Sequence, residues 1–236
     1  MKIEILKGTH QVGGCITVIS TENTKVVIDF GEDLEISVNR DQNISELLEK
    51  IEDASAVFIT HSHGDHAGLI NMIPEHIAVY MEEKSLDILK ISADFGLISP
   101  ISRPVETFIL SKNKKPTPLV VGDIEVTPFI VDHSSYNACM FLIEAQGKRI
   151  LHTGDYRSHG TLKTIGNVDC LITEGTTLTR KGHERYLSEL ELEKKAKEIM
   201  DRYDQVFVLS SSTNLDRIVT FYKARGHKKF VLDTFT

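Results

Sequence analysis

Cysteine is scarce in this sequence, and long apolar runs are absent. The three cysteines among 236 residues are widely spaced, and each lies in an apolar stretch, at Cys15, Cys139 and Cys170. This distribution favours buried free thiols in a reducing compartment over a disulfide framework. No apolar run approaches the roughly 20 residues that span a bilayer, and residues 1–7 lack the apolar core and cleavage site of a signal peptide. We therefore expect a cytoplasmic protein with no membrane-bound part.

Positive charge is also in short supply. The chain has 27 lysines and arginines against 34 acidic residues, which gives a net charge of −7 at pH 7. There is no general electrostatic attraction to nucleic acid, so any such binding must come from a local basic surface. The hydrophobic fraction of 41% and the charged fraction of 26% are ordinary for a globular protein. The length allows one main domain and a second that is small or incomplete.

What the sequence does contain is an alternation of strand and helix patterns, which predicts an α/β fold. Short apolar or alternating stretches predict strands at residues 1–7, 15–20, 25–30, 54–60, 77–81, 119–121, 125–131, 138–145, 149–153, 170–173, 206–210 and 229–233. Apolar residues at helical spacing predict helices at residues 43–52, 69–73, 85–90, 187–202 and 214–224. Residues 82–118 are otherwise less regular.

Residues 61–66 form the run His-Ser-His-Gly-Asp-His directly after an apolar strand. Imidazoles and a carboxylate at this density converge on one point at a turn, and such a cluster requires a cation. Nitrogen and oxygen donors suit zinc, and also manganese or iron, while the lack of nearby thiolates argues against a closed structural zinc site. The alternative is a surface histidine cluster or a tag-like tract, but a tag lacks the aspartate and the preceding core strand.

Two further polar residues, His133 and Asp155, also follow apolar strands. Taken alone, His133 has the simpler interpretation of a core or loop histidine, and Asp155 that of a turn residue. Each nevertheless follows its strand in the way that His61 does. A layered α/β sandwich would therefore gather all of them along one edge of the sheets, where binding sites are built.

The order of Asp29, the run at 61–66, His133 and Asp155 resembles the sequential motifs of the metallo-β-lactamase superfamily, over residues 13–155. The resemblance implies a four-layer αβ/βα sandwich with a dinuclear zinc centre, manganese or iron being the alternatives. It also implies that Asp29 organises the loop from behind the ligands. The ligand set that the resemblance implies is His61, His63 and His133 for one ion, Asp65 and His66 for the second, and Asp155 as the bridge.

The flanking residues are similar to those of β-CASP nucleases. His133-Ser134 and residues 153–157 resemble forms found in that branch. Residues 172–177, read with the charged helix and residues 206–217, resemble the passage into the β-CASP domain of RNase J-type and pre-mRNA end-cleaving enzymes, with Glu-Gly-Thr where those enzymes have Glu-Ser-Thr. We accordingly predict a lactamase-like domain over residues 1–180 and the beginning of a β-CASP-like domain over residues 181–236.

The resemblance also implies a ligand that this sequence does not supply. β-CASP enzymes are much longer, and their chain returns to the lactamase-like domain to donate another metal-binding histidine. The present sequence stops at Thr236 and so looks like a fragment or a truncated relative. His159, His183 and His227 are the candidates to replace that ligand, but none resembles the family motif. We expect each of them to be a surface or loop residue.

These features together predict a metal-dependent hydrolase acting on RNA or single-stranded nucleic acid. Asp65 is the predicted catalytic residue, because a carboxylate beside the metals is placed to orient water and accept its proton. Two alternatives stay open. One is a hydrolase of small esters, thioesters or lactones, which suits the acidic composition; the other is a non-catalytic protein with an incomplete centre. The sequence leaves a homo-oligomer open as well.

Overall fold

The structure is a computed structural model, and it describes residues 1–34, 40–111, 113–157, 165–176, 178 and 187–233. In these ranges the chain forms two β-sheets and several helices. None of the helices in these ranges is long and apolar enough to cross a membrane. The predicted domain boundary at residue 180 lies outside the described residues.

The first sheet has six strands in sequential order, β1 to β6. Its strands are β1 (Lys2–Lys7), β2 (Ile16–Ser20), β3 (Lys25–Ile28), β4 (Ala56–Ile59), β5 (Ala78–Glu82) and β6 (Glu106–Phe108). Strands β1 to β3 are antiparallel, whereas β3 to β6 are parallel. The parallel part places the carboxyl ends of β3 and β4 side by side, where the predicted ligand loops begin.

The second sheet has five strands in the order β11, β10, β9, β8, β7. Its strands are β7 (Leu119–Val121), β8 (Ile124–Ile130), β9 (Cys139–Ala145), β10 (Lys148–His152) and β11 (Cys170–Ile172). All pairs are antiparallel except β10 with β11. Two-residue turns join β7 to β8 and β9 to β10, and positive φ angles at Gly122, Gln146 and Gly147 make these tight connections.

The two sheets pack face to face over one apolar core. The helices are α1 (Arg40–Ile51), α2 (Gly64–Ala67), α3 (Glu83–Asp94), α4 (Glu189–Met200) and α5 (Leu215–Ala224). Of these, α1 and α3 cover the outer face of the first sheet. Val26 and Phe58 point into the core between the sheets, while Val27 and Val57 point toward α1 and α3. Burial on both faces of these central strands explains why β4, and β3 after Lys25, are continuously apolar.

The outer face of the second sheet is covered only in part by the described residues. Met140 and Leu142 are buried there, and Tyr156 and neighbouring loop residues pack against this side. Val120 and Leu171 remain exposed on the same face. α4 and α5 pack mainly against each other, around a small apolar cluster of their own. The αβ/βα arrangement is therefore present, with its last layer partial over these ranges.

Two of the predicted strands are wrong. Residues 206–210 and 229–233 have the alternating apolar pattern of strands, but the structure assigns no strand to either. A strand needs a neighbouring strand to accept its backbone hydrogen bonds, and neither segment takes part in a sheet among the described residues. The predicted helix at 69–73 is reduced to a short 3₁₀ helix, Ile70–Met72. The three-residue strand β6 was not predicted, because it is defined by its pairing with β5 and not by a local pattern.

Candidate metal centre

The predicted ligands lie in loops that follow the carboxyl ends of strands in both sheets. β4 leads directly into Thr60 and His61, and the neighbouring strand β3 leads into Asp29. In the second sheet, the loop of His133 follows β8 and the loop of Asp155 follows β10. Because these strand ends lie at one edge of the sandwich, residues from distant parts of the chain meet there.

Backbone contacts fix the loop of residues 61–66. The amide of Cys15 donates to the carbonyl of Asp65 (3.0 Å), and the amide of Phe30 donates to that of His66 (2.9 Å). At Gly31, a β-carbon would overlap the carbonyl oxygen of Asp65, so no larger residue fits without moving the loop. The loop is thus held in place by the two strands beside it.

Buried polar groups behind the histidines set the direction of their rings. The carboxylate of Asp29 accepts hydrogen bonds from the Thr60 amide (2.7 Å) and hydroxyl (2.9 Å), and its Oδ2 lies 2.7 Å from Nδ1 of His66. The Thr60 hydroxyl also lies 2.9 Å from Nδ1 of His61. With both Nδ1 atoms engaged in this way, the Nε2 atoms of His61 and His66 face the site. Asp29 therefore lies behind the ligands, as the resemblance implies.

The predicted ligands do converge in space. Nε2 of His61 lies 3.1 Å from Nδ1 of His63, and Nε2 of His133 lies 3.3 Å from the same atom. Asp155 approaches Nε2 of His66 (3.5 Å) and Nε2 of His133 (3.8 Å). Asp155 thus lies between the two histidine loops.

The potential ligand atoms form two overlapping groups among the described residues. One group is His61, His63 and His133, and the other is His61, His66 and Asp155. His61 therefore belongs to both groups, whereas the family motifs assign it to one ion. Asp65 belongs to neither group, although its Oδ2 lies 3.7 Å from Nε2 of His66.

Burial and neighbouring charges shift the pKa values of the site histidines in opposite directions. Burial, together with nearby imidazoles, holds the pKa of His61 well below its ordinary value, and burial also lowers the pKa of His133 to about 4. Burial opposes the charged form of His66 too, but Asp29 and Asp155 raise its pKa well above the ordinary value. At neutral pH the first two rings therefore present free lone pairs, while the ring of His66 lies in a site that favours positive charge.

The donor set fits a divalent metal ion. Imidazole nitrogens and carboxylate oxygens are the ligands of zinc, manganese and iron sites. Each group contains three protein donors, the number found in catalytic zinc sites with an open coordination position, although the one free ring nitrogen of His61 can serve only one ion. The buried carboxylate of Asp29 lies behind His66, where metal-binding histidines usually have such a partner.

Of the three histidines named as replacements for the family ligand, only His227 lies among the described residues, and it belongs to neither group of potential ligand atoms. His227 is described, and it is exposed in the C-terminal segment. His159 and His183 lie outside the described residues. The expectation for His227 as a surface residue is confirmed, and those for the other two stay predictions.

Some supporting residues were not found from the sequence. The hydroxyl groups of Ser62 and Ser135 lie 2.8 Å apart and join two of the ligand loops across 73 positions of the chain. His152 is buried, burial lowers its pKa to about 4, and its Nδ1 accepts a hydrogen bond from the Gly154 amide (3.2 Å) in the turn before Asp155. A serine pair so distant in sequence leaves no local pattern, whereas the position of His152 next to the Thr-Gly-Asp turn was a signal available in the sequence.

Comparison with known proteins gives a family and several distant relatives. Residues 24–202 match the family model described as "Beta-lactamase superfamily domain". The chain is 24% identical over 257 residues to "Probable RNase MJ4" of Methanocaldococcus jannaschii, covering 92% of this chain and 58% of that protein. It is 24% identical over 168 residues to "Ribonuclease J" of Helicobacter pylori, covering 66% of this chain and 23% of that protein. The chain therefore spans only part of the length of these relatives.

Among solved structures, the chain is similar to a protein of unknown function from Enterococcus faecalis V583. The TM-score is 0.75 at 20% sequence identity, and the match covers 94% of this chain and 62% of that chain. At this identity the similarity concerns the fold alone.

Proposed function

Because its residues 24–202 match the family model, this chain belongs to the beta-lactamase superfamily domain family, and we propose that it is a metal-dependent phosphodiesterase acting on RNA or single-stranded nucleic acid. The observation that carries the proposal is the convergence of His61, His63, His133, His66 and Asp155 on one edge of the sandwich. The names of the curated relatives, ribonuclease J and probable RNase MJ4, support a nucleic acid as the substrate.

We propose zinc as the metal, in two ions, with manganese or iron as alternatives. Ions of this kind supply a hydroxide near neutral pH and polarise the phosphoryl oxygen under attack. The ligands would be His61, His63 and His133 for one ion and Asp65 with His66 for the second, and Asp155 would be shared between them. Donor type and spacing support this assignment.

The chain's own residues have distinct roles in this proposal. Asp65, with 14% of its side chain exposed, is the residue placed to meet water and accept its proton. Thr60 and Asp29 hold His61 and His66 from behind, so that these rings keep one orientation as substrate enters. No side chain of the protein is required as a nucleophile.

We further propose that residues 1–180 form the lactamase-like domain and that residues 181–236 begin a β-CASP-like domain. The separate apolar cluster between α4 and α5 supports a unit with its own packing. The match covers 58% of probable RNase MJ4 and 23% of ribonuclease J, so these relatives contain residues beyond those matched.

The proposal is tested with the purified chain, zinc, and an end-labelled single-stranded RNA. We expect cleavage that a chelator abolishes and that Asp65→Ala reduces by about 100-fold or more, as expected for loss of a proton-accepting group. His227→Ala removes an exposed histidine and serves as the matched control, with activity unchanged. Hydrolysis of a thioester or lactone in place of RNA would favour a small-molecule hydrolase. Zinc binding without turnover of any of these substrates would favour a non-catalytic protein.

A further inference from the structure

Arg157 connects the two loops that carry His133 and Asp155. Its backbone amide donates to the carbonyl of Asp132 (2.6 Å), and its Nη1 lies 3.6 Å from the carboxylate of the same residue. Asp132 directly precedes His133, and Arg157 follows Asp155 by two positions. Movement of Arg157 would therefore change the spacing between two predicted ligands.

The other side of Arg157 contacts the C-terminal helices. Its Nη1 donates to Oε1 of Glu189 (3.2 Å), at the first residue of α4. Glu189 also accepts hydrogen bonds from Arg217 (2.9–3.1 Å) and from the Thr220 hydroxyl (2.9 Å), both on α5. One carboxylate thus joins the ligand loops to both helices.

This network is well placed to be rigid. Burial opposes the charged form of Glu189, but its hydrogen bonds to Arg217 and Thr220 and the charge of Arg157 lower its pKa. The side chains of Arg157 and Glu189 are only 19% and 22% exposed. Ion pairs on the open surface contribute little to the free energy of unfolding. A carboxylate that accepts hydrogen bonds from several donors restricts side-chain motion more than an isolated pair does.

We propose that Arg157 is a positioning residue, which transmits the placement of α4 and α5 to the loops of His133 and Asp155 and so sets how firmly the site holds its metal. This inference rests on the proposed function only in requiring that the site bind a divalent ion. It assigns the C-terminal helices a part in the metal centre, although they contribute no ligand to either described group.

The experiment measures zinc affinity in the full chain by competition with a chromophoric chelator. We expect Arg157→Met to weaken the binding of at least one ion by about tenfold or more, as is usual when a group supporting a ligand is removed. Arg149→Met is the control, because it removes another arginine ion pair (to Glu144, 2.9 Å) at the opposite end of β10. Its zinc affinity should equal that of the wild type.

Two further variants separate positioning from general loss of structure. Glu189→Gln should weaken zinc binding in the same direction, and the double variant should lose little more than Arg157→Met, because both changes remove one interaction. Arg157→Lys retains the charge and should restore part of the affinity. Thermal unfolding without metal shows which variants fold.

The outcomes separate the two proposals. Wild-type affinity in folded Arg157→Met, or an equal loss in Arg149→Met, would overturn the positioning role while leaving the metal site intact. If Arg157→Met does not fold, wild-type affinity in folded Glu189→Gln would overturn it as well. A wild-type chain that binds no zinc would instead contradict the proposed function.

Discussion

Thr60 supports two of the predicted metal ligands from their buried side. Its hydroxyl lies within 2.9 Å of both Asp29 and His61, and its amide donates to the same aspartate. The residue is buried, so neither partner can turn to water if the hydroxyl is lost. A single side chain therefore supports the orientation of two predicted ligands, His61 directly and His66 through Asp29.

Thr60→Val is expected to remove this support while preserving the shape of the side chain. Leaving buried partners unsatisfied costs about 1–3 kcal/mol in the free energy of unfolding. Zinc affinity should fall by about tenfold or more, because the ring of His61 loses the bond that fixes it. Urea unfolding and chelator competition measure the two effects. Thr60→Ser keeps the hydroxyl and should keep most of the affinity; equal losses in both variants would show that the methyl group, not the hydroxyl, is important.

At the scale of elements, the site lies at strand ends, and the short helix α2 adds Asp65 and His66 to it. β3 and β4 are parallel neighbours, so Asp29 and His61 emerge side by side, and the second sheet delivers His133 and Asp155 from β8 and β10. In the part of the chain that the structure describes, residues 206–210 have no strand paired with them. Phe207 and Leu209 are 96% and 102% exposed in a stretch with the composition of a strand.

Changes in this segment should therefore have little effect on stability. We expect Phe207→Ser and Leu209→Ser to alter the free energy of unfolding by less than about 0.5 kcal/mol, since neither side chain loses packing. Phe141→Ala is the comparison, because Phe141 is fully buried between the sheets; this change should cost about 3–5 kcal/mol. Urea unfolding curves measure both. A loss above about 1 kcal/mol from either serine variant would show that the segment packs against something in solution.

At the scale of the whole molecule, the two sheets hold the metal donors in place from both sides of one core. The core between the sheets includes Ile28 and Phe58 from the first sheet and Phe141 from the second. The ligand loops begin where these core strands end. Metal binding and folding are consequently linked, because the ligands converge only in the folded chain.

Zinc should raise the unfolding temperature of the chain, and a chelator should reverse this effect. At a free zinc concentration of 100 times the dissociation constant, the stabilisation is about 2.7 kcal/mol for one site. Magnesium should have much less effect, since it prefers oxygen ligands and keeps its water. We expect two unequal binding steps, because Asp65 belongs to neither group of close donors. An unfolding temperature independent of zinc and chelator would contradict a metal centre, and two equal steps would contradict Asp65 being the more distant ligand of the second ion.

The sequence by itself determined which metal donors are present, that they follow apolar strands, and that the fold is α/β. These features are local, because strand periodicity and the residue after a strand are read within a few positions. Thus His61, His133 and Asp155 could be selected from these local patterns, and Asp29 from the family resemblance.

Only the tertiary structure decided which donors share a group and what holds them. His61 joins both groups because of how the loops pack, and the Ser62–Ser135 contact joins positions 73 residues apart. The network of Arg157 with Glu189 likewise depends on where α4 lies. Residues 206–210 show the converse, since they have the local pattern of a strand but form none. A strand forms only when another strand accepts its hydrogen bonds. Such partners are set by long-range packing, which a local pattern does not encode.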